Sequence, residues 1–121
     1  MEKKVVYIAG PVTGVDKYWE AFERAEDDLA GLGYIPLSPA RLPEGMSPKR
    51  YMRICFAMID AADAVLFLEG SDRSDGAWLE ARYCHYTGKP AVTQRTHMDL
   101  QRLPHDVMLA WLRYDLAEVL K

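Results

Sequence analysis

Apolar residues along the chain alternate between short β-rich runs and longer segments with helical spacing. The run 5–9 is apolar throughout and stops at a Gly-Pro pair, which is typical of a buried strand that ends in a turn. Over 17–31, apolar side chains recur every three or four residues, and Gly31 and Gly33 mark the end of a helix. The residues predicted to face the core from this helix are Trp19, Phe22, Ala25, Leu29 and Leu32.

The same alternation continues to residue 93. We predict strands at 34–37, 64–68 and 91–93, and a long proline-rich loop over 36–48. We also predict a helix over about 48–61 that is capped by Ser47, and a helix over 75–87 that ends at Gly88. The run 64–68 shows no polar alternation, as expected when helices cover both faces of a parallel strand. The pattern predicts an α/β fold: a single three-layer domain over 1–121, with a flavodoxin/Rossmann-like parallel sheet of four to five strands and helices on both faces. The tail, 98–121, fits either one helix or a helix, a short strand and a helix.

Composition narrows the classes of function. With 15 Lys and Arg against 18 Asp and Glu, the net charge of −3 argues against a protein that binds long nucleic acids, although a small anionic ligand needs only a local pocket. Cys55 and Cys84 have no CxxC spacing, which favours free thiols in a reducing compartment over zinc ligands or disulfides. No apolar run approaches the ~18 residues of a membrane span, and the three histidines form no metal-binding pair. We therefore predict a cytoplasmic protein without a metal, a cofactor or a membrane partner.

Two loops follow predicted strands at the edge of the sheet where α/β proteins bind their ligands. They are 10–14 and 69–76. Gly10 and Gly14 allow close approach to the backbone, and the N-terminus of the next helix favours an anion. The first loop has neither GxGxxG nor a P-loop pattern, so it does not support a dinucleotide or triphosphate site, and a purely structural turn remains an alternative.

The second loop leads into a helix with three residues of interest. Ser74, Gly76 and Glu80 place a hydroxyl, an open backbone and a carboxylate around the first turns of that helix. Ser74 and Glu80 also have ordinary explanations, since serine caps helices and a carboxylate complements the positive end of the helix dipole.

Four short motifs in this order resemble the nucleoside 2-deoxyribosyltransferase-like superfamily, which includes nucleoside 5′-monophosphate N-glycosidases. They are Tyr-Ile-Ala-Gly-Pro at 7–11, Ala-Asp-Ala-Val at 62–65, Ser74-x-Gly-Ala-x-x-Glu80, and Gly-Lys-Pro at 88–90. The resemblance covers roughly residues 5–93.

The resemblance implies chemistry at an N-glycosidic bond. Glu80 would be the nucleophile that forms a glycosyl-enzyme ester, kept ionised by the helix N-terminus, and the Tyr7 hydroxyl would orient its carboxylate. The substrate, a nucleoside or nucleotide, would be bound by Gly10, Pro11, Thr13, Gly14, Gly70, Ser74 and Gly76.

Ser74 discriminates within the superfamily that the chain resembles. Nucleoside transferases usually carry an aspartate at this position to hold the 5′-hydroxyl, whereas the monophosphate N-glycosidases carry a serine. A serine hydroxyl can donate to a phosphate that an aspartate would repel, and Arg73 adds a nearby cation. The resemblance therefore favours a 5′-phosphorylated ligand.

Cys55 departs from the superfamily's pattern. It stands eight residues before Asp63, where relatives often carry an aspartate that assists proton transfer to the leaving base. A neutral thiol is a poor acid for this task, and Asp60 is predicted to face another direction. Three interpretations stay open: hydrolysis or transfer at the glycosidic bond, base exchange by a 2-deoxyribosyltransferase, and a non-catalytic nucleotide sensor.

Two further features concern partners. Tyr18 and Trp19 could stack on a base, although Trp19 and Phe22 at helical spacing more often mark a buried stripe. The tail after residue 98 is rich in large apolar residues, which predicts a homo-oligomer interface.

Overall fold

The computed structural model describes residues 2–12, 14–94 and 120. The elements, in chain order, are β1 (Val5–Ala9), α1 (Tyr18–Gly31), β2 (Ile35–Leu37), α2 (Pro48–Ala61), β3 (Ala64–Phe67), α3 (Asp75–Thr87) and β4 (Ala91–Thr93). Single turns of 3₁₀-helix occur at Pro39–Arg41 and Ser71–Arg73. The strands and helices predicted up to residue 93 are confirmed. Thr13 and the predictions for the tail, including its oligomer interface, lie outside the described residues.

The described strands form one four-stranded parallel sheet in the order β2-β1-β3-β4. Its register pairs Tyr7 with Leu37 on one side and with Val65 on the other. The chain runs outward from β1 to β2 and then returns to place β3 on the other side of β1, so strand order reverses between β1 and β3. The loops after these two strands therefore flank the switch point, where α/β sheets leave a crevice for ligands.

Helices cover both faces of this sheet, which confirms the α/β fold class. Alternate residues of β1 point to opposite faces. Val6 and Ile8 pack with Phe22, Ala25 and Leu29 of α1. On the other face, the core is formed by Tyr7 and Ala9 of β1, Cys55 and Ile59 of α2, and Ala77, Ala81 and Cys84 of α3, together with residues of β3.

The predicted inward face of α1 is wrong at its two ends. Trp19 is 41% exposed and Leu32 is 70% exposed. In the first turn, it is Tyr18 that packs against the core, with its ring edge-on to Phe22, while Leu32 lies just beyond the last turn of α1. Helical spacing predicts which side chains share one face of a helix, but it does not show how far the sheet extends beneath that face.

The proline-rich segment after β2 is more ordered than a loop. Ser38 caps its 3₁₀-turn, and Arg41 donates to Glu26 of α1 at 2.9 Å. Tyr51 of α2 holds the far end, since its hydroxyl donates to the Pro43 carbonyl at 2.5 Å. Contacts to helices on both faces of the sheet fix this segment.

Two of the four motifs have structural roles at the amino end of the sheet. Asp63 brackets the start of β1, because its Oδ2 accepts from Val5 N and its own N–H donates to Val5 O, both at 2.8 Å. The Lys89 ammonium donates to the Ala62 carbonyl and so ties the turn before β4 to the turn before β3. These residues lie at the opposite edge from the two candidate loops.

Candidate functional site

The two predicted loops meet at the switch point, where two glycines allow their close contact. A Cβ at Gly10 would lie 3.1 Å from Leu68 Cβ, and one at Gly70 would lie 3.1 Å from Pro11 Cγ. Gly70 also has φ +90, a conformation that disfavours other residues. Close packing of the two loops therefore accounts for the glycines at positions 10 and 70, whatever else they do.

The end of the first loop, at Gly14, is open. Gly14 has φ +76, and a Cβ added there would have nothing within 4 Å. Lys17, at the start of α1, has φ 51, which is uncommon for a residue other than glycine. The Lys17 side chain does not cap α1. The first N–H groups of α1 thus lack this cap and can donate to a ligand.

The second loop places Ser74 and Gly76 at the start of α3. Ser74 is the N-cap, and its Oγ accepts from Ala77 N at 3.2 Å, which leaves the hydroxyl hydrogen free to donate elsewhere. A Cβ at Gly76 would lie 3.6 Å from Met52 Sδ, an ordinary contact. Packing alone therefore does not require glycine at position 76.

The same loop contains a buried acid that sequence reasoning missed. Asp72 is 7% exposed, and its Oδ2 lies 3.9 Å from Nε of the exposed Arg73. The Arg73 charge is therefore partly offset by Asp72. A carboxylate in the Ser71–Arg73 turn is a sequence signal that could have drawn attention to it.

Glu80 and Tyr7 are brought together inside the core, between β1, α2 and α3. Glu80 is 5% exposed and Tyr7 is fully buried. Tyr7 Oη and Glu80 Oε2 are enclosed, and neither makes a hydrogen bond of normal geometry to the described residues. Buried polar atoms nearly always have partners, so two adjacent oxygens without one mark this pocket as unusual. We call the buried cluster of Tyr7, Cys55, Glu80 and Cys84 the Glu80 pocket.

The electrostatics of Glu80 differ from the prediction that the helix N-terminus keeps it ionised. Burial raises the pKa of Glu80 to about 7, and the Tyr7 hydroxyl offsets only part of that rise. The reason is position: Glu80 is the sixth residue of α3, and the effect of a helix dipole fades beyond the first turn. Near neutral pH the carboxyl is therefore divided between its neutral and ionised forms.

The neighbouring groups are neutral. Burial, followed by the Glu80 charge, raises the pKa of Tyr7 far above its usual value. Burial also raises the pKa of Cys55 to about 11, although the Tyr7 hydroxyl lowers it, and the pKa of Cys84 to about 12. Cys84 was not predicted to belong here, although its place one helical turn after Glu80 would have indicated it.

Three further candidate residues, Asp60, Tyr18 and Trp19, lie outside the Glu80 pocket. Asp60 faces away from Glu80, as expected, and accepts from the Tyr83 hydroxyl at 2.6 Å. Tyr18 donates to Glu44 at 3.5 Å, and Trp19 is partly exposed beside it.

Within residues 2–12 and 14–94, no cluster of His, Cys, Asp or Glu could hold a metal ion. None of the helices described is both long and apolar enough to cross a membrane.

Solved structures with this fold include two 2-deoxyribosyltransferases. The one from Bacillus psychrosaccharolyticus has a TM-score of 0.64 and 20% identity, with 95% of each chain covered. The one from Leishmania mexicana has a TM-score of 0.60 and 24% identity, and the alignment covers 74% of this chain and 63% of that protein's chain. A conserved protein from Enterococcus faecalis V583 has a TM-score of 0.57 and 17% identity, and the alignment covers 87% of this chain and 70% of that protein's chain. These similarities confirm, at the level of the fold, the resemblance inferred from the four motifs.

Sequence comparison assigns the family. No curated protein matches the chain. The profile of a family described as a domain of unknown function, DUF4406, matches residues 4–93, which include all seven strands and helices described above. The chain belongs to the DUF4406 family.

Proposed function

We propose that this protein cleaves or transfers the N-glycosidic bond of a nucleoside or a nucleoside 5′-monophosphate, with Glu80 as nucleophile. The Glu80 carboxylate forms a bond to the anomeric carbon while the bond from that carbon to the base breaks. The base leaves with the bonding electrons and takes up a proton. Water or a second base then attacks the same carbon and releases Glu80.

The observation that carries this proposal is the Glu80 pocket itself. It holds a buried carboxyl and a buried phenol whose oxygens Glu80 Oε2 and Tyr7 Oη lack hydrogen-bond partners among the described residues. A carboxyl with a pKa of about 7 ionises in the neutral range, and as an anion it is poorly solvated and therefore reactive. The shared fold with 2-deoxyribosyltransferases adds support.

Tyr7 would orient the nucleophile. Its pKa is raised far above neutrality, so the phenol keeps its proton and can donate to the Glu80 carboxylate. Once the substrate is bound, such a donation would hold one carboxylate oxygen in place and direct the other towards the sugar.

Ser74 favours a phosphorylated ligand. Its hydroxyl hydrogen remains available, and it lies at the N-terminus of α3, where anions are stabilised. Because the Asp72 carboxylate partly offsets the charge of Arg73, binding of the phosphate would depend on the Ser74 hydroxyl and the N–H groups of α3 more than on the arginine.

Cys55 supports the rival proposal of a non-catalytic nucleotide sensor. It lies beside Tyr7 and Glu80, and a thiol with a pKa of about 11 is a weak acid for protonating a leaving base. Base exchange by a deoxyribosyltransferase is the second rival, and the solved structures named above favour it.

The test is chromatography after incubation with ribo- and deoxyribonucleosides and their 5′-monophosphates, with and without an acceptor base. Base release indicates hydrolysis, dependence on the acceptor indicates exchange, and thermal stabilisation without turnover indicates a sensor.

Two buried glutamates provide a matched pair of variants. Glu80→Gln should lose turnover by about three orders of magnitude or more while retaining the fold. Glu26→Gln is the control, because Glu26 is 9% exposed and also has an unpartnered Oε2, but it lies on the opposite face of the sheet. Equal turnover in the native protein and Glu80→Gln would exclude the covalent mechanism.

A further inference from the structure

A three-residue contact joins α2 to α3 behind Glu80. The rings of Phe56 and Tyr83 stack with centroids 4.4 Å apart and planes 9° from parallel. The Tyr83 hydroxyl then donates to Asp60 Oδ1 at 2.6 Å. We call Phe56, Asp60 and Tyr83 the rear clamp.

The rear clamp adjoins the Glu80 pocket on both helices. Phe56 follows Cys55 directly, and Tyr83 lies three residues after Glu80, on a neighbouring part of the same helix surface. At the other end of the seam between the helices, Met52 faces Gly76, next to the loop that begins α3. A ligand at the switch point would approach Glu80 from that end, so the rear clamp lies on the side away from the ligand.

Among the residues that the structure describes, no side chain of opposite charge compensates Glu80 in this pocket. The groups that face the carboxyl are Tyr7 of β1, Cys55 of α2 and Cys84 of α3, all protonated at neutral pH. The state of the carboxyl therefore depends on whether water can enter between α2 and α3.

We propose that the stacked rings of Phe56 and Tyr83, held in place by Asp60, seal the rear of the Glu80 pocket against water, and that Tyr83 is thereby a positioning residue for the reaction. This inference rests on the proposed function for its role in catalysis, but the seal itself does not. Excluding water keeps the nucleophile desolvated and protects a glycosyl-enzyme ester from attack from behind. The aromatic stack supplies the apolar barrier, and the bond to Asp60 fixes the orientation of the Tyr83 ring.

The test is a pH titration of the Glu80 side-chain carboxyl by carbon NMR, in the absence of substrate. In Tyr83→Ala, water should enter and the midpoint should fall by about one pH unit from its native value near 7. Tyr83→Phe keeps the ring and should move the midpoint much less. Tyr86→Ala is the matched control, because Tyr86 lies on the same helix and is 91% exposed, so the midpoint should not move.

An unchanged midpoint in a folded Tyr83→Ala overturns the seal. If that variant does not fold, Phe56→Leu removes the stack while keeping an apolar side chain, and an unchanged midpoint there has the same meaning. An equal fall in Tyr86→Ala also overturns the seal, because it would show a general loosening of α3.

Turnover separates this inference from the proposed function. If the native protein turns over substrate, the acid limb of kcat in Tyr83→Ala should move down with the carboxyl midpoint, and KM should change little. Turnover with an unmoved acid limb overturns the positioning role alone. If no substrate is turned over but the midpoint moves, the seal stands while the proposed function and the positioning role fall.

Discussion

Two buried glutamates on opposite faces of the sheet have opposite surroundings. Glu26 of α1 accepts a hydrogen bond from the Arg41 guanidinium at 2.9 Å. Glu80 of α3 lies among a phenol, two thiols and apolar side chains, and burial raises its pKa to about 7. Both carboxyls have an unpartnered oxygen, so burial does not distinguish them. The difference lies in the opposite charge: Arg41 pairs with Glu26, whereas no cation in the described part of the chain pairs with Glu80, as is often the case for reactive groups.

The largest effect that would separate the two glutamates is on stability against pH. Because its folded pKa lies above the ordinary value of 4.5, Glu80 stabilises the fold fully at low pH, and that stability is lost as pH rises through about 7. The loss should amount to about 3 kcal/mol between pH 4 and pH 8. Urea denaturation across this range should show the decline in the native protein and in Glu26→Gln, but not in Glu80→Gln. A decline that persists in Glu80→Gln would assign it to other groups.

Ser74→Asp tests the effect of a carboxylate that is exposed to the ligand, at the N-cap of α3, in contrast to the buried carboxyls of Glu26 and Glu80. A second carboxylate at the start of α3 should repel a phosphate, so affinity for a nucleoside 5′-monophosphate should fall about tenfold while affinity for the nucleoside changes little. Aspartate also caps helices well, so the fold should be retained. Calorimetric titration with both ligands measures the difference, and equal losses would remove the phosphate assignment.

Glu26→Gln should cost about 1 kcal/mol of stability, because a charge-assisted hydrogen bond to Arg41 becomes a neutral one. Turnover per folded molecule should not change. The midpoint of urea denaturation measures the first quantity and chromatography the second. A loss of turnover at full folding would mean that the proline-rich segment held by Arg41 contributes to the site.

Gly76→Ala should produce the smallest change in stability, a gain of a few tenths of a kcal/mol, because alanine is the better helix former and its Cβ fits beside Met52. If a ligand approaches the backbone here, its binding should nevertheless weaken. Gly70→Ala is the contrasting variant, with φ +90 and Pro11 Cγ 3.1 Å from the new Cβ, and it should destabilise the fold. Unaltered ligand affinity in Gly76→Ala would place the ligand elsewhere.

Local signals made the elements of this fold predictable. The uninterrupted apolar runs became β1 and β3, Ser47 and Ser74 cap α2 and α3, and Gly88 ends α3 with φ 74. These features depend on neighbours within a turn or a strand, so they can be deduced from short stretches of sequence. Trp19 was misassigned because its burial depends on how far the sheet extends beneath α1, which involves residues distant in sequence.

The motifs alone could not separate structural residues from candidate functional ones. Asp63 and Lys89 belong to matched motifs, yet they make backbone contacts at the amino end of the sheet. Ser74 and Glu80 belong to a third motif and lie at the other end and in the core. A motif records which residues occur together, whereas its role depends on which polar atoms remain without partners after folding.

Short stretches of the chain were enough to specify the order of strands and helices, their caps, and the nomination of Tyr7, Ser74 and Glu80. It took the folded arrangement to establish that Tyr7, Cys55, Glu80 and Cys84 lie together in the core, and that burial outweighs the helix dipole at Glu80. The difference is one of range. Periodicity and capping act within a few residues, while desolvation depends on every element that surrounds a group. Here residues of β1, α2 and α3, which are separated in the chain, bury Glu80 together.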